Sequence, residues 1–141
     1  MNVGFSGTQS GMTPAQTLAV KGLLEGMLSV GPVTVHHGAC IGADRQVHNL
    51  CVDLGIGLEV YPSDSGIKVA RECLATPGVV VHPPKAPLLR NHDIVDASEV
   101  LVAAPKSGRE ARRSGTWATV RYTRKQAKRT ILVLPSGAIE Q

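Results

Sequence analysis

The sequence predicts an α/β protein: a doubly wound, mainly parallel sheet with helices on both faces, in a single domain spanning residues 1–141. Three observations carry this. NVGFS (2–6), VTVHH (33–37), EVLVAAP (99–105) and TILVLP (130–135) are short runs whose apolar residues do not alternate with polar ones, as in strands buried on both faces. Between them lie stretches with apolar residues every three or four positions, the mark of amphipathic helices. The two kinds of segment alternate along the chain, and right-handed crossovers then give a parallel sheet covered on both sides. A chain of 141 residues is long enough to bury one sizeable core without disulfides.

The elements follow in order. NVGFS is the first strand and ends in a glycine-rich turn. Thr13 is placed to N-cap a helix, with Pro14 at its first position and Gln16 closing a capping box. Val20, Leu23, Leu24, Met27 and Leu28 supply its core face, and Gly31-Pro32 stops it. VTVHH is the second strand. A helix follows from about Gly42, with Ala43, Val47, Leu50, Cys51 and Leu54 on one stripe, and Gly55 ends it. GLEVYP (57–62) is the third strand. Residues 63–78 are ambiguous, with a short helix around Lys68–Leu74. VVVHPP (79–84) is a short strand or edge segment stopped by prolines. Leu88–Ser98 reads as a helix with Ile94, Val95 and Ser98 inward. After the strand 99–105 comes a loop, 106–114, then a basic helix from about Gly115 to Arg129, and the last strand is 130–135. The expected order of the five main strands is 3-2-1-4-5.

Charge is unevenly spread. Residues 1–104 carry 6 Lys/Arg and 9 Asp/Glu, whereas residues 105–141 carry 9 Lys/Arg and 2 Asp/Glu. A basic region on a slightly acidic body suits an anionic partner: a nucleotide, a nucleic acid or a phosphorylated small molecule. The three cysteines, Cys40, Cys51 and Cys73, form neither a disulfide framework nor a zinc ribbon and fit a reducing cytoplasm. The start lacks the pattern of a signal peptide, and no apolar run approaches the ~20 residues that span a bilayer. A cytoplasmic protein without a membrane partner is expected.

In a doubly wound sheet, ligands bind beyond the carboxyl ends of the strands, at the switch point. This brings together loops 6–11, 38–44 and 105–116. In HHGACIGAD (36–44), Gly38 and Gly42 permit close backbone approach, and the opening helix offers free amides to an anion. The loop matches no named phosphate fingerprint. A metal reading would use Asp44 and His48, four apart on one helix face, with His36, His37 and Cys40. However, His36 and His37 are adjacent on a strand and point to opposite faces, so neither a metal nor a cofactor is expected. Asp44 suits the first helical turn and would repel an adjacent phosphate. A ribose hydroxyl or a base N–H is its better partner. Ser6, Gly7 and Thr8 supply hydrogen-bond donors after the first strand, and Ser114, Gly115 and Thr116 do so at the start of the basic helix. Arg90, followed by Asn91, brings a guanidinium able to clamp a phosphate through two nitrogens. Arg109, Arg112 and Arg113 are placed to close over a polyanion.

The stretches GFSGTQSGMTPAQ, HHGACIGAD, LLRNHDIVDASEVLVAAP and RRSGTWATVRYTRKQAKRTILVLP together span nearly the whole chain. In that order they resemble the SLOG superfamily, which groups the DprA/Smf DNA-processing proteins with the LOG-type, lysine decarboxylase-like phosphoribohydrolases. The GFSGT…GMTPAQ opening is similar to a small stand-alone bacterial and phage branch. The resemblance implies a Rossmann-like fold, binding of nucleotides or related molecules, and often a homodimer. By match, the ligand loops are Ser6–Thr8, Gly38–Asp44, Arg90-Asn91 and Ser114–Thr116.

One departure bears on chemistry. LOG-type hydrolases carry P-G-G-x-G-T-x-x-E, whose glutamate takes part in cleaving the N-glycosidic bond. Here the segment reads RRSGTWAT, with Thr119 at that place. A threonine supplies no carboxylate, so binding without strong catalysis is the favoured reading, with Asp44 or Asp93 as substitutes if there is catalysis. The alternatives are phosphoribohydrolase or N-glycosidase action on nucleoside monophosphates, and single-stranded nucleic-acid binding of the DprA type. The last draws on the basic helix. There Thr116, Val120, Thr123 and Ala127 are expected inward, with Trp117, Arg121, Arg124 and Lys128 on the neighbouring face. Trp117 either stacks a base, with Arg121 over it in a cation–π contact, or fills the core edge or a dimer interface.

Overall fold

The computed structural model describes residues 1–141. Seven strands form one sheet: β1 (Asn2–Gly7), β2 (Thr34–His37), β3 (Gly57–Val60), β4 (Val80–Val81), β5 (Val100–Ala104), β6 (Arg129–Val133) and β7 (Ile139–Glu140). The order across the sheet is β4-β3-β2-β1-β5-β6-β7. All neighbouring pairs are parallel except β6 and β7, which run antiparallel. Numbered among themselves, the five long strands stand in the expected 3-2-1-4-5 order. The chain reverses its direction of winding at β1, so the gap beyond the carboxyl ends of β1, β2 and β5 is where a ligand fits this architecture.

Five helices connect the strands: α1 (Pro14–Leu28), α2 (Ala43–Leu54), α3 (Arg71–Leu74), α4 (Pro87–Asp96) and α5 (Gly115–Lys125). Strand β5 is buried at every position. Its Val100, Val102 and Ala104 join the larger core, which holds Val20 and Leu24 of α1 and Val47 and Cys51 of α2. Leu101 and Ala103 face the other way and pack with Trp117 and Val120 of α5 and Leu132 of β6. Two covered faces explain why the strand has no polar alternation. No helix is long and apolar enough to cross a membrane.

The α1 capping box forms as its sequence requires: Gln16 N–H donates to Thr13 Oγ1 at 3.0 Å, and Thr13 N–H donates to Gln16 Oε1 at 3.0 Å. Gln16 is also 1% exposed, and its Nε2 donates to the carbonyls of Pro105 and Val133 at 2.8 and 3.0 Å. One side chain therefore caps a helix and ties together the ends of β5 and β6, leaving no buried amide group unpaired.

Three expectations need correction. Helix α5 stops at Lys125, not near Arg129, because Ala127 takes a left-handed backbone (φ 55) and is exposed instead of inward. Strand β7 is absent from the sequence reading, since two residues are too few to show a period. The ambiguous 63–78 region contains only the four-residue α3, and the strand in 79–84 shrinks to Val80–Val81.

Candidate functional site

A cleft of about 570 Å³ opens at the carboxyl ends of β1, β2 and β5. Its wall includes Ser6, Gly7 and Thr8 after β1, Gly38 and Asp44 around the β2–α2 loop, Arg90 and Asn91 of α4, and Arg113, Ser114, Gly115 and Thr116 entering α5. Eleven of the twelve residues expected to form a site thus share one cavity. Gly42 is the exception and lies behind the wall. Its φ is 86, and a Cβ there would stand 2.4 Å from the Gln9 carbonyl oxygen, so this glycine permits the close packing of two loops.

The β2–α2 loop does not present a free amide nest. Ala39 N–H donates to His37 Nδ1 (3.0 Å) and Cys40 N–H to Asp44 Oδ2 (3.2 Å). The Ile41 N–H donates to the Lys68 carbonyl and the Ala43 N–H to the Thr8 carbonyl, at 2.9 and 3.0 Å. The first amide of α2, expected to face an anion, is spent on the neighbouring loop. By contrast, at the start of α5 the amides of Gly115 and Thr116 have no protein partner, and Ser114 Oγ accepts from Trp117 N–H at 3.2 Å. Helix α5 thus brings two unpaired N-terminal amides, on residues of the cleft wall, to an anion, whereas α2 spends its first amide on the neighbouring loop and keeps unpaired only those of Asp44 and Arg45 in its first turn.

Arg90 also differs from expectation. It is 7% exposed, and Nη1 donates to the carbonyls of Gly38 (2.8 Å) and Tyr61 (3.0 Å) while Nε donates to Asn91 Oδ1 (2.7 Å). Nη2 approaches Cys40 Sγ at 3.4 Å. All three of its nitrogens have partners inside the protein, the contact of Nη2 with sulfur being the weakest, so a two-nitrogen clamp on a phosphate would have to displace them. What Arg90 supplies as it stands is a fixed positive charge in the cleft wall. Gly38 makes this possible: a Cβ at that position would fall 2.5 Å from Arg90 Nη1 and 3.1 Å from Asp44 Oδ2.

Asp44 is the only carboxylate in the wall. Burial pushes its pKa up to about 6, against the pull of Arg90 and of the amides around it. The Gly38 and Cys40 groups beside it also hydrogen-bond the carboxylate, which stands in the cleft wall. Asp93, the other carboxylate considered, pairs with Lys85 at 2.7 Å and lies outside the cleft. Thr119 is buried outside the wall as well, and its hydroxyl donates to the Gly115 carbonyl at 2.9 Å.

The loop between β5 and α5 adds cations. Lys106, Arg109 and Arg113 line the cleft, whereas Arg112 does not. Cys40 and Lys106, which fall in the expected loops 38–44 and 105–116 without being singled out there as anion ligands, line it too. The signal for Lys106 was its place directly after the strand-ending Pro105. Trp117 is 5% exposed: it packs in the core edge and reaches the cleft wall with only a small part of its surface, too little for a base to stack on. Arg121 turns away from it toward the loop, donating to Glu110 Oε2 at 3.0 Å.

His37, His48 and Cys73 place ligand-type atoms within 4.8 Å of one another. The hydrogen bonds argue against a metal among them. His37 Nδ1 accepts the Ala39 amide, so in the neutral ring Nε2 carries the proton and donates to His48 Nδ1 at 2.9 Å. His48 Nε2 then donates to Thr76 Oγ1 (2.9 Å), whose own proton goes to the Glu72 carbonyl (2.8 Å). Metal ligation through His37 Nε2 would move the proton to Nδ1, directly against the Ala39 N–H. As expected from strand alternation, His36 is on the other face, bonded to Tyr61 Oη and Asn2 Oδ1 at 2.8 and 2.9 Å.

No family model matches the sequence, and no curated protein matches it. Solved structures do match. DNA processing protein A (DprA) from Streptococcus pneumoniae superposes with a TM-score of 0.70 at 15% identity, over 93% of this chain and 49% of that one. DNA processing protein A from Helicobacter pylori, whose structure describes a single-stranded DNA binding mode, gives 0.70 at 17% identity, over 94% of this chain and 64% of that one. The structural-genomics protein TM1055 gives 0.65 at 14% identity, over 94% and 73%. The chain thus spans about half the length of the first of these proteins. At such identities the likeness is one of fold, and the fold is the Rossmann-like one that the sequence resemblance implied.

Proposed function

We propose that the cleft binds a nucleotide or a nucleotide-derived phosphorylated ligand, without strong catalysis. The observation that carries this reading is the meeting of two unpaired α5 amides, Gly115 and Thr116, with Lys106, Arg109 and Arg113 on one wall that holds a single carboxylate. A helix N-terminus beside cations favours a phosphate. The volume of about 570 Å³ lies within the range of small-molecule sites. In this reading the phosphate sits at α5, and Asp44, the one carboxylate of the wall, takes a ribose hydroxyl or base N–H at the other end. Thermal-shift screening against nucleotides and their cyclic and ribosylated derivatives tests it. A stabilising ligand whose effect is lost in Arg113→Ala is expected. The absence of any shift across the panel would refute it.

Single-stranded nucleic-acid binding is the second reading. It is favoured by the fold shared with the DprA proteins, one of which has a described single-stranded DNA binding mode, and by the three cations along one cleft wall. A gel shift at low salt should reveal it. Hydrolysis of a nucleoside monophosphate would have to use Asp44, since Thr119 is buried and satisfied. Release of free base and ribose 5-phosphate by purified protein would establish that activity. A homodimer is what we infer from the resemblance, and a cytoplasmic setting what we infer from the cysteine pattern.

A further inference from the structure

The loop 106–113 carries three of the cleft's cations, yet it is held to the rest of the protein by very little. Within it, Arg109 N–H donates to Ser107 Oγ and Ser114 N–H to the Ala111 carbonyl. Every other hydrogen bond from residues 106–113 ends on one side chain, Arg121 in the second turn of α5. Arg121 Nη1 donates to Glu110 Oε2 at 3.0 Å and to the Ala111 carbonyl at 3.4 Å, and Nη2 donates to the Arg112 carbonyl at 3.2 Å. One guanidinium therefore grips three consecutive loop residues. Arg109 precedes the gripped residues and Arg113 follows them, and both line the cleft while Arg121 does not.

We propose that Arg121 is a positioning residue for the cleft: with Glu110 it fastens the loop to α5 and so aims Arg109 and Arg113 at the bound anion. This rests on the reading of the cleft as an anion site. The physical reason is entropic. A free loop with Gly108 in it and long arginine side chains must be ordered when the ligand arrives, and that ordering subtracts from affinity. A planar guanidinium with its donors fixed in a fork can hold several oxygens at once, and a lysine at 121 would keep only part of the grip.

The Glu110 side of the pair makes the proposal separable from simple charge effects. Removing Glu110 makes the loop more positive, so electrostatic attraction alone predicts tighter binding of an anion. The fastening predicts weaker binding. The experiment is titration of AMP into wild type, Arg113→Ala, Arg121→Gln, Arg121→Lys and Glu110→Ala by calorimetry. Repeating Arg121→Gln and Glu110→Ala in an Arg109→Ala/Arg113→Ala background completes a mutant cycle. All substitutions are at half-exposed or exposed positions, and an unchanged melting temperature serves as the control for folding. The expected result is a loss of about five-fold for Arg121→Gln, a smaller loss for Arg121→Lys, and a loss for Glu110→Ala as well. In the double-alanine background neither Arg121→Gln nor Glu110→Ala should cost anything further. Tighter binding by Glu110→Ala, or full additivity in the cycle, overturns the proposal while leaving the cleft reading intact. If wild type binds AMP but Arg113→Ala binds it equally well, the cleft reading itself fails, and the role of Arg121 fails with it.

Discussion

At Asp44, burial and charge pull in opposite directions. The carboxylate accepts the Cys40 amide and stands in the cleft wall, yet ionising it where it is 6% exposed is costly. Its folded pKa of about 6 lies above the ordinary 3.8. A group raised in this way favours the fold below the lower value, and that stability is lost as pH rises through the higher one. The penalty at neutral pH is on the order of 3 kcal/mol. Asp44→Asn removes the titration while retaining an acceptor for Cys40. In urea melts, the variant should therefore gain on wild type as pH goes from 4 to 7.5, by roughly 2 kcal/mol or more, and ligand affinity should fall. A difference independent of pH would show that Asp44 is not the buried acid described here. His37 has the reverse sign. Burial and the neighbouring His48 hold its pKa down to about 3, so its contribution is present above 6.5 and lost in acid. Nitrogen-resolved NMR at pH 7 should find both His37 and His48 neutral with the proton on Nε2. A proton on Nδ1 of His37 would undo the hydrogen-bond chain and reopen the metal reading.

The β2–α2 loop shows why a local motif can be read correctly as a strand-to-helix turn and wrongly as a set of free donors. Gly38 and Gly42 at a strand end imply close approach, and close approach is what the structure has. At Gly42, however, the approaching group is the backbone of Thr8 and Gln9, and at Gly38 it is Arg90. Nothing in HHGACIGAD indicates that Lys68, Thr8 and a ring nitrogen of His37 will take its amides, because these partners come from other elements. The sequence shows strands and helices well because hydrophobic period is local. It shows which residues line the cleft because the switch point of such a sheet selects loops by chain order alone. It does not show which amides stay free, the end of α5 at Ala127, or the two-residue β7. The consequence is a contrast between glycines. Gly42→Ala meets a fixed carbonyl in a backbone region disfavoured for alanine, and should cost about 3 kcal/mol or more in stability. Gly115 has nothing within 4 Å of a built Cβ, so Gly115→Ala should stay within about 0.5 kcal/mol of wild type. Chemical denaturation separates the two. Comparable losses would mean that α5, and not the packed β2–α2 loop, is the constrained element.

Across the whole molecule, the basic last quarter is not one uniform cationic face. Of its nine Lys/Arg, Arg121 holds the loop and Lys128 caps the end of α4, with Nζ donating to the carbonyls of Val95, Asp96 and Ser98 at 2.9, 3.2 and 2.9 Å. Arg129 donates to Gln141 Oε1. Lys106, Arg109 and Arg113 gather on the cleft, while Arg124 and Lys125 lie exposed in the last turn of α5, away from it. A single strand held in the cleft alone therefore meets the three cations of the β5–α5 loop, and each neutralised phosphate contributes about −0.7 to the slope of log affinity against log salt. The expected slope is about −2, measured by fluorescence anisotropy with an oligothymidylate between low and physiological salt. A slope of about −3.5 would instead require the strand to run on to Arg124 and Lys125, making α5 a binding surface along its length. Arg124→Gln/Lys125→Gln tests this directly: it should leave a slope of about −2 unchanged, whereas Arg109→Gln/Arg113→Gln should bring it to about −0.7. If the first pair of substitutions flattens the slope and the second does not, the nucleic-acid surface lies outside the cleft, and the cleft is left to the small ligand alone.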